Sequence, residues 1–326
     1  MSAKFRTRCL VCLAMVGLAC AARPLPPEMN KQEIAVSVSD GAIKTIDDMV
    51  SERKRIHQIE YVLSTATAKR CGPLARPQSG VMLSKADSFE DQALRTAVRR
   101  EFSLADNLGV IYVLPDSGFE RAGVVPGDQL LEVDGAKIGS ADAFLRLMLA
   151  EADRSSIEVL VSRGGRKFRA DVPLNAGCPV KFTQGLHHRL TTSQYSKLLV
   201  EVPTGVLGFI DNDNTLAVVM AHQLAHALFD NDAKSWSEQE ARADRIGLQI
   251  AGAAGYDVSG AVEYWEAVAM EYPWLIVESA REPGALWEGY INYSHFGIGN
   301  RIAAIRETAA KIGEIQAESR ERSGAN

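Results

Sequence analysis

Apolar residues recur with helical spacing over 43–68, where Ile46, Met49, Val50, Ile56, Ile59, Val62 and Leu63 share a face. Cys71-Gly72-Pro73 ends that pattern, residues 76–87 read as loop, and 89–102 read as a short helix. The texture then changes. Residues 109–114 form a short β-branched run closed by Pro115-Asp116-Ser117-Gly118, and 129–133 form a strand before the turn Asp134-Gly135. A helix is predicted over 141–150, with Phe144, Leu145, Met148 and Leu149 on one side. Two strands, 157–162 and 167–172, meet at the hairpin turn Gly164-Gly165. Further on, 198–202 read as a strand. Asp211 or Asp213 then caps a helix that runs through Leu216, Val219, Met220 and Leu224 to about residue 230. Helices and a β-rich middle in separate stretches predict an α+β fold.

Composition narrows the class. The chain has 326 residues, 46% hydrophobic and 24% charged, which is globular and long enough for two domains. A net charge of −5 without any long basic run gives no sign of a nucleic-acid partner. At the N-terminus Lys4, Arg6 and Arg8 precede an apolar run from Cys9 to Ala22, too short to span a bilayer comfortably and typical of a secretory signal. Ala19-Cys20-Ala21 ends in the small-x-small pattern of ordinary cleavage. Gly17-Leu18-Ala19-Cys20 resembles instead a lipoprotein box that would lipidate Cys20 and tether the protein to a membrane. Both readings export the chain to the periplasm or cell envelope. Of five cysteines, Cys9, Cys12 and Cys20 lie in this signal. Cys71 and Cys178 remain, either as a disulfide suited to an oxidising compartment or as two buried thiols.

Within the β-rich middle, Ala122-Gly123-Val124-Val125-Pro126-Gly127-Asp128-Gln129-Leu130-Leu131-Glu132-Val133-Asp134-Gly135 resembles the signature of PDZ domains of the bacterial protease-associated type. Such domains bind an extended or C-terminal peptide by adding it as a strand and clamping it against a helix. The resemblance places that groove at Leu108, Gly109 and Val110, facing the 141–150 helix.

The predicted helix near 213–230 contains Ala221-His222-Gln223-Leu224-Ala225-His226. Histidines at i and i+4 lie on one helix face, within reach of one ion. Ser237 and Glu240 fit a capping box, which would explain Glu240 without any metal. Taken with the histidines, Glu240-Ala241-Arg242-Ala243-Asp244 resembles the E-x-x-A-D motif of the gluzincin peptidases related to HtpX and the CAAX prenyl proteases. The stretches Val202-Pro203-Thr204-Gly205-Val206-Leu207, Ile246-Gly247-Leu248-Gln249 and Ala254-Gly255-Tyr256-Asp257 extend that likeness. It implies a mostly helical zincin-type core with a small sheet, and a Zn2+ cofactor held by His222, His226 and Glu240. Asp244 would orient a histidine ligand from behind. Tyr293-Ser294-His295-Phe296, followed by Arg301-Ile302, is similar to the family's Thr-His-Pro-x-x-x-x-Arg-Ile segment, with Phe296 in place of Pro. It makes His295 a candidate lining residue.

Gln223 departs from the family. There a Glu takes the proton of the metal-bound water, a role closed to an amide at neutral pH. His57, His187 and His188 have no motif around them. The expected organisation is a signal (1–22), a linker with an N-terminal helical part (23–102), a PDZ domain (103–175), a peptidase-like domain (176–312) and a charged tail (313–326). Three functions fit: a zinc metallopeptidase of envelope quality control, a pseudopeptidase that binds polypeptide without cutting it, and a PDZ adaptor with an inert zinc half.

Overall fold

A computed structural model describes residues 31–190, 192–196, 198–229, 236–271 and 298–324. The segment expected as a signal (with Cys20), the 23–29 linker and His295 lie outside the described residues. The fold is α+β. No helix among the described residues is long and apolar enough to cross a membrane.

Helix α1 (Lys31–Ala66) is 36 residues long, starting well before the apolar spacing does. At 1.5 Å per residue it spans about 54 Å, enough to serve two cores. Its first half packs Ile46 and Val50 against Ala97, Val98 and Leu104. Its second half sends Ile56, Ile59 and Leu63 into the core of the C-terminal half. The short helix α2 (Ala68–Cys71) follows.

Residues 76–87, expected as loop, instead form strands β1 (Arg76–Gln78) and β2 (Val81–Ser84). They are strands because of what they pair with. β1 lies antiparallel to β8 (Asn175–Gly177), forming a two-stranded neck. β2 lies antiparallel to β3 (Leu108–Val113), after the intervening helix α3 (Gln92–Glu101). The short helix α4 (Gly118–Arg121) leads to β4 (Gln129–Val133) and β5 (Ala136–Lys137). Next come α5 (Ala141–Ala150), β6 (Ser156–Arg163) and β7 (Arg166–Pro173). The main sheet has the order β2-β3-β4-β6-β7, with β5 paired to β4, so β2 is an edge strand. The β6–β7 turn has positive φ at both Gly164 and Gly165, the type I′ geometry that suits a twisted hairpin. One face of this sheet closes with α4 and α5 over Leu108, Val110, Phe119, Leu130, Phe144, Val159 and Val161.

The C-terminal half begins with a small sheet in the order β10 (Ser193–Ser196), β11 (Leu199–Pro203), β9 (Lys181–Gly185). After α6 (Thr204–Phe209) come α7 (Asp213–Phe229), α8 (Trp236–Ala253), α9 (Ala261–Glu271) and α10 (Ile298–Gly324). α7 is buried from Thr215 to Leu228 apart from half-buried His226. The side chain that caps it is Asn212, not Asp211 or Asp213; its Oδ1 accepts from Thr215 N at 2.8 Å. The segment expected as a charged tail continues α10 to Gly324.

The strand-rich unit leaves and rejoins the rest through one neck. Cys71 and Cys178 form a disulfide with Cα atoms 5.7 Å apart, across 107 residues of sequence. Ser64 Oγ donates to the Cys178 carbonyl at 2.7 Å. At Gly177 a Cβ would sit 2.4 Å from Ser64 Oγ, so the close approach of β8 to α1 needs glycine there. Below the neck, Glu60 is buried and accepts from Lys181 Nζ and from Phe182 N, both at 2.9 Å. This ties α1 to β9. A disulfide closing a loop of this length is worth about 2–4 kcal/mol. Cys71→Ala/Cys178→Ala is therefore expected to lower unfolding stability by about that amount in urea titrations, with no change in the wild type until a reductant is added.

Candidate metal site

α7 and α8 come into close backbone contact at Gly247. A Cβ on Gly247 would lie 2.7 Å from His222 N and 2.8 Å from His222 Cα, inside van der Waals contact. Glycine at this position lets α8 lie against α7 and carries Glu240 and Asp244 to the histidine face. Ser237 lies inside α8 rather than before it, so Glu240 is not the partner of a capping box.

His222, His226 and Glu240 each offer a ligand atom, and these atoms lie within 4.8 Å of one another. The two Nε2 atoms are 3.0 Å apart. Glu240 Oε1 lies 3.2 Å from His226 Nε2, and Oε2 lies 3.5 Å from His222 Nε2. Asp244 Oδ1 sits 2.9 Å from His222 Nδ1, on the far side of the ring, so Nε2 faces the cluster. Burial disfavours the charged form of His222 and lowers its pKa, with the Asp244 contact opposing in part. Its neutral ring is the form that can act as a ligand.

Two further residues complete the site, and neither was given a role from the sequence. Arg301 is buried and places its guanidinium 2.7 Å from both Glu240 Oε2 and Asp244 Oδ2. Trp265 covers the cluster: its ring centroid is 5.5 Å from that of His222 and 4.6 Å from Arg301 Cζ. The Arg-Ile pair after His295 pointed toward Arg301, whereas nothing local marks Trp265. Burial alone would raise the Asp244 pKa, but the ion pair and hydrogen bonds with Arg301 outweigh it and hold the carboxyl well below its usual range. Burial likewise works against the Arg301 charge, and Asp244 restores it.

The chemistry of this donor set fits a divalent cation. Both Glu240 oxygens are buried and accept no directional hydrogen bond, although they lie at ion-pair distance from Arg301 and His226. As carboxylates, Glu240 and Asp244 place two negative charges against the single charge of Arg301. Buried charge of that kind is costly unless paired or bound to metal. Gln223 is buried in α7 directly after the first histidine.

The peptide groove does not lie where the sequence placed it. Leu108, Gly109 and Val110 belong to β3, which pairs with β2 on one side and β4 on the other. Leu108 and Val110 are buried, and a Cβ on Gly109 would meet Leu104 Cδ2 at 2.5 Å. An incoming strand has no free edge there. β2 is one of the sheet's two edge strands, β7 being the other, and beside β2 lies a cavity of about 360 Å³ bounded by α1, the N-terminal end of α5 and β9.

Residues 109–163 match the family model for the PDZ domain, so the chain carries a PDZ domain in its β-rich part. No curated protein matches the chain. Among solved structures, the serine endoprotease from Yersinia pestis aligns at 19% identity with a TM-score of 0.25, covering 33% of this chain and 31% of that one. The HtrA3 PDZ domain bound to a phage-derived ligand aligns at 17% identity and a TM-score of 0.25, over 31% of this chain and 88% of that one. The HtrA-type protease AlgW with a decapeptide gives 22% identity and a TM-score of 0.25, over 31% and 30% of the two chains. This chain thus spans about a third of the length of the full proteases it aligns with.

Because the Asp244 pKa is depressed in the folded state, its contribution is present above the unfolded carboxyl pKa of about 3.9 and is lost as pH falls below it. Asp244→Asn is expected to cost about 3–5 kcal/mol at pH 7 by breaking a buried pair. The gap from wild type should narrow at pH 3, as read from urea unfolding at the two pH values.

Proposed function

We propose that the protein is an exported, zinc-binding relative of the gluzincin peptidases that holds polypeptides in envelope quality control, with hydrolysis strongly impaired. The observation that carries this reading is the convergence of His222, His226 and Glu240 on one point, with Asp244 behind His222 and Gln223 where the proton acceptor belongs. His222 Nε2, His226 Nε2 and a Glu240 oxygen would hold the ion, leaving a position open as in catalytic zinc sites. Zinc bound there would supply a Lewis acid able to polarise water or a peptide carbonyl.

The rest of the reading rests on the chain's own residues. The Gln223 amide can hydrogen-bond a water or a peptide group but cannot take up the proton of an attacking water. Loss of a positioned general base costs about 10²–10⁴-fold in rate. Arg301 holds Glu240 and Asp244 in place, and Trp265 shields the cluster from solvent. The PDZ domain supplies a second polypeptide contact, by strand addition along the free edge of β2 with α5 alongside. The N-terminal signal supports export, and Cys20 offers a lipid tether.

Purified mature protein is expected to contain about one zinc per chain by metal analysis, and His226→Ala to lose it. Gln223→Glu is expected to cleave an unfolded protein substrate about 10²–10⁴-fold faster than wild type. Zinc-dependent cleavage by wild type at the rate of Gln223→Glu would defeat the non-cutting reading, and a wild type without zinc would defeat the metal site.

A further inference from the structure

Strand addition needs backbone groups that point outward from an edge strand. At the start of β2, the Gly80 carbonyl accepts from Leu114 N at 2.9 Å and so faces β3. Carbonyls alternate in direction along a strand, which turns that of Val81 to the outer side. That side is not open. The His57 ring of α1 interacts with the Val81 backbone there. One turn further along α1, Tyr61 closes on the preceding residue: a Cβ on Gly80 would lie 3.1 Å from Tyr61 Cε2. Tyr61 is itself fixed, its hydroxyl accepting from Asn175 Nδ2 at 2.8 Å. Helix α1 thus occupies the Gly80–Val81 end of the edge.

The remainder of the edge faces the cavity, where Phe182, Thr183 and Gln184 of β9 form another wall. β9 belongs to the C-terminal half, and three contacts bind it to α1. Glu52 accepts from Gln184 Nε2, and Glu60 accepts from Lys181 Nζ and from Phe182 N, both at 2.9 Å. Lys181 Nζ also donates to Gln78 Oε1 at 2.8 Å, just ahead of β2. Together α1 and β9 make a strap across the β2 edge. A strand pairing along the whole of β2 meets His57 at Val81. Contacts of this kind satisfy backbone and buried polar groups within the protein, so displacing them costs free energy.

We infer that this strap is an autoinhibitory contact: β2 accepts an added polypeptide strand only after His57 leaves Val81 and β9 moves off the edge. The inference rests on the reading of β2 as the strand-adding edge and supplies its regulation. Ile56 and Ile59 of α1 and Phe182 of β9 pack in the same core as Leu216, Ala221 and Leu224 of α7, the helix of the two histidines. Peptide binding is thereby coupled to the half that carries the metal site. Whatever loosens the α1–β9 contacts opens the groove, and by linkage a bound peptide loosens those contacts. The apparent affinity is the intrinsic one reduced by the fraction of open molecules.

Fluorescence anisotropy with the full mature chain and a labelled apolar decapeptide tests the strap. Glu52→Ala/His57→Ala removes one tie to β9 and the contact with Val81, at two half-buried positions. Circular dichroism checks that the fold is kept. The double variant should bind the peptide about tenfold tighter than wild type, as a strap that holds most molecules closed requires. Equal or weaker binding by the folded variant overturns the strap and leaves strand addition standing. Hydrogen exchange on wild type needs no variant. With saturating peptide, amides of β9 should exchange faster while those of β2 become protected. Unchanged or slower exchange in β9 beside a protected β2 likewise overturns the strap alone. No binding by either protein defeats strand addition and the strap together.

Discussion

The candidate metal site depends on how closely α8 lies against α7. Glycine at position 247 removes the side chain that would strike the backbone of His222. Only at that separation do Glu240 and Asp244 reach the histidines, one on the cluster side of His222 and one behind its ring. Arg301, arriving from α10, fastens the two carboxylates in place, and Trp265 from α9 lies over both Arg301 and His222. Four helices thus meet around one buried set of charges. None of those charges could stay buried alone.

A second dependence runs along α1. One helix packs its first half against the β-rich unit's satellite helix α3 and its second half into the core beneath α7. The β1–β8 neck, the Cys71–Cys178 bridge and the Glu60–Lys181 pair hold the two halves in register around it. The cavity beside β2 exists because α1 passes there. The PDZ sheet alone would leave that edge open to solvent.

Much of the local structure could be read in advance, because its causes are local. The Ala141–Ala150 helix, the Gln129–Val133 strand and the Gly164-Gly165 hairpin follow from short-range periodicity and turn chemistry. The histidine pair on α7 follows from the period of a helix. The strand that escaped the sequence reading is known only from its partner. Val81–Ser84 is a short segment next to Pro77 and Gly80 and reads as loop until β3 lies beside it. That missed strand displaced the groove: without β2, β3 looks like an edge, and Leu108, Gly109 and Val110 look available. Ser237 and Glu240 fit a capping box locally, yet the helix runs straight through them.

By itself the sequence determined which side chains could bind a metal, that Gln223 lacks the chemistry of a base, that one pair of cysteines was left to join, and that a PDZ signature follows Ala122. These are properties of residue type and of spacing within a few turns or one strand. Tertiary structure alone decided that Gly247 is a contact point, that Arg301 and Trp265 belong to the site, and that β2 is an edge strand with Arg53 and His57 beside it. Each of these depends on burial or on contact between elements distant along the chain. No periodicity within an element records which edge or which face its neighbour will cover.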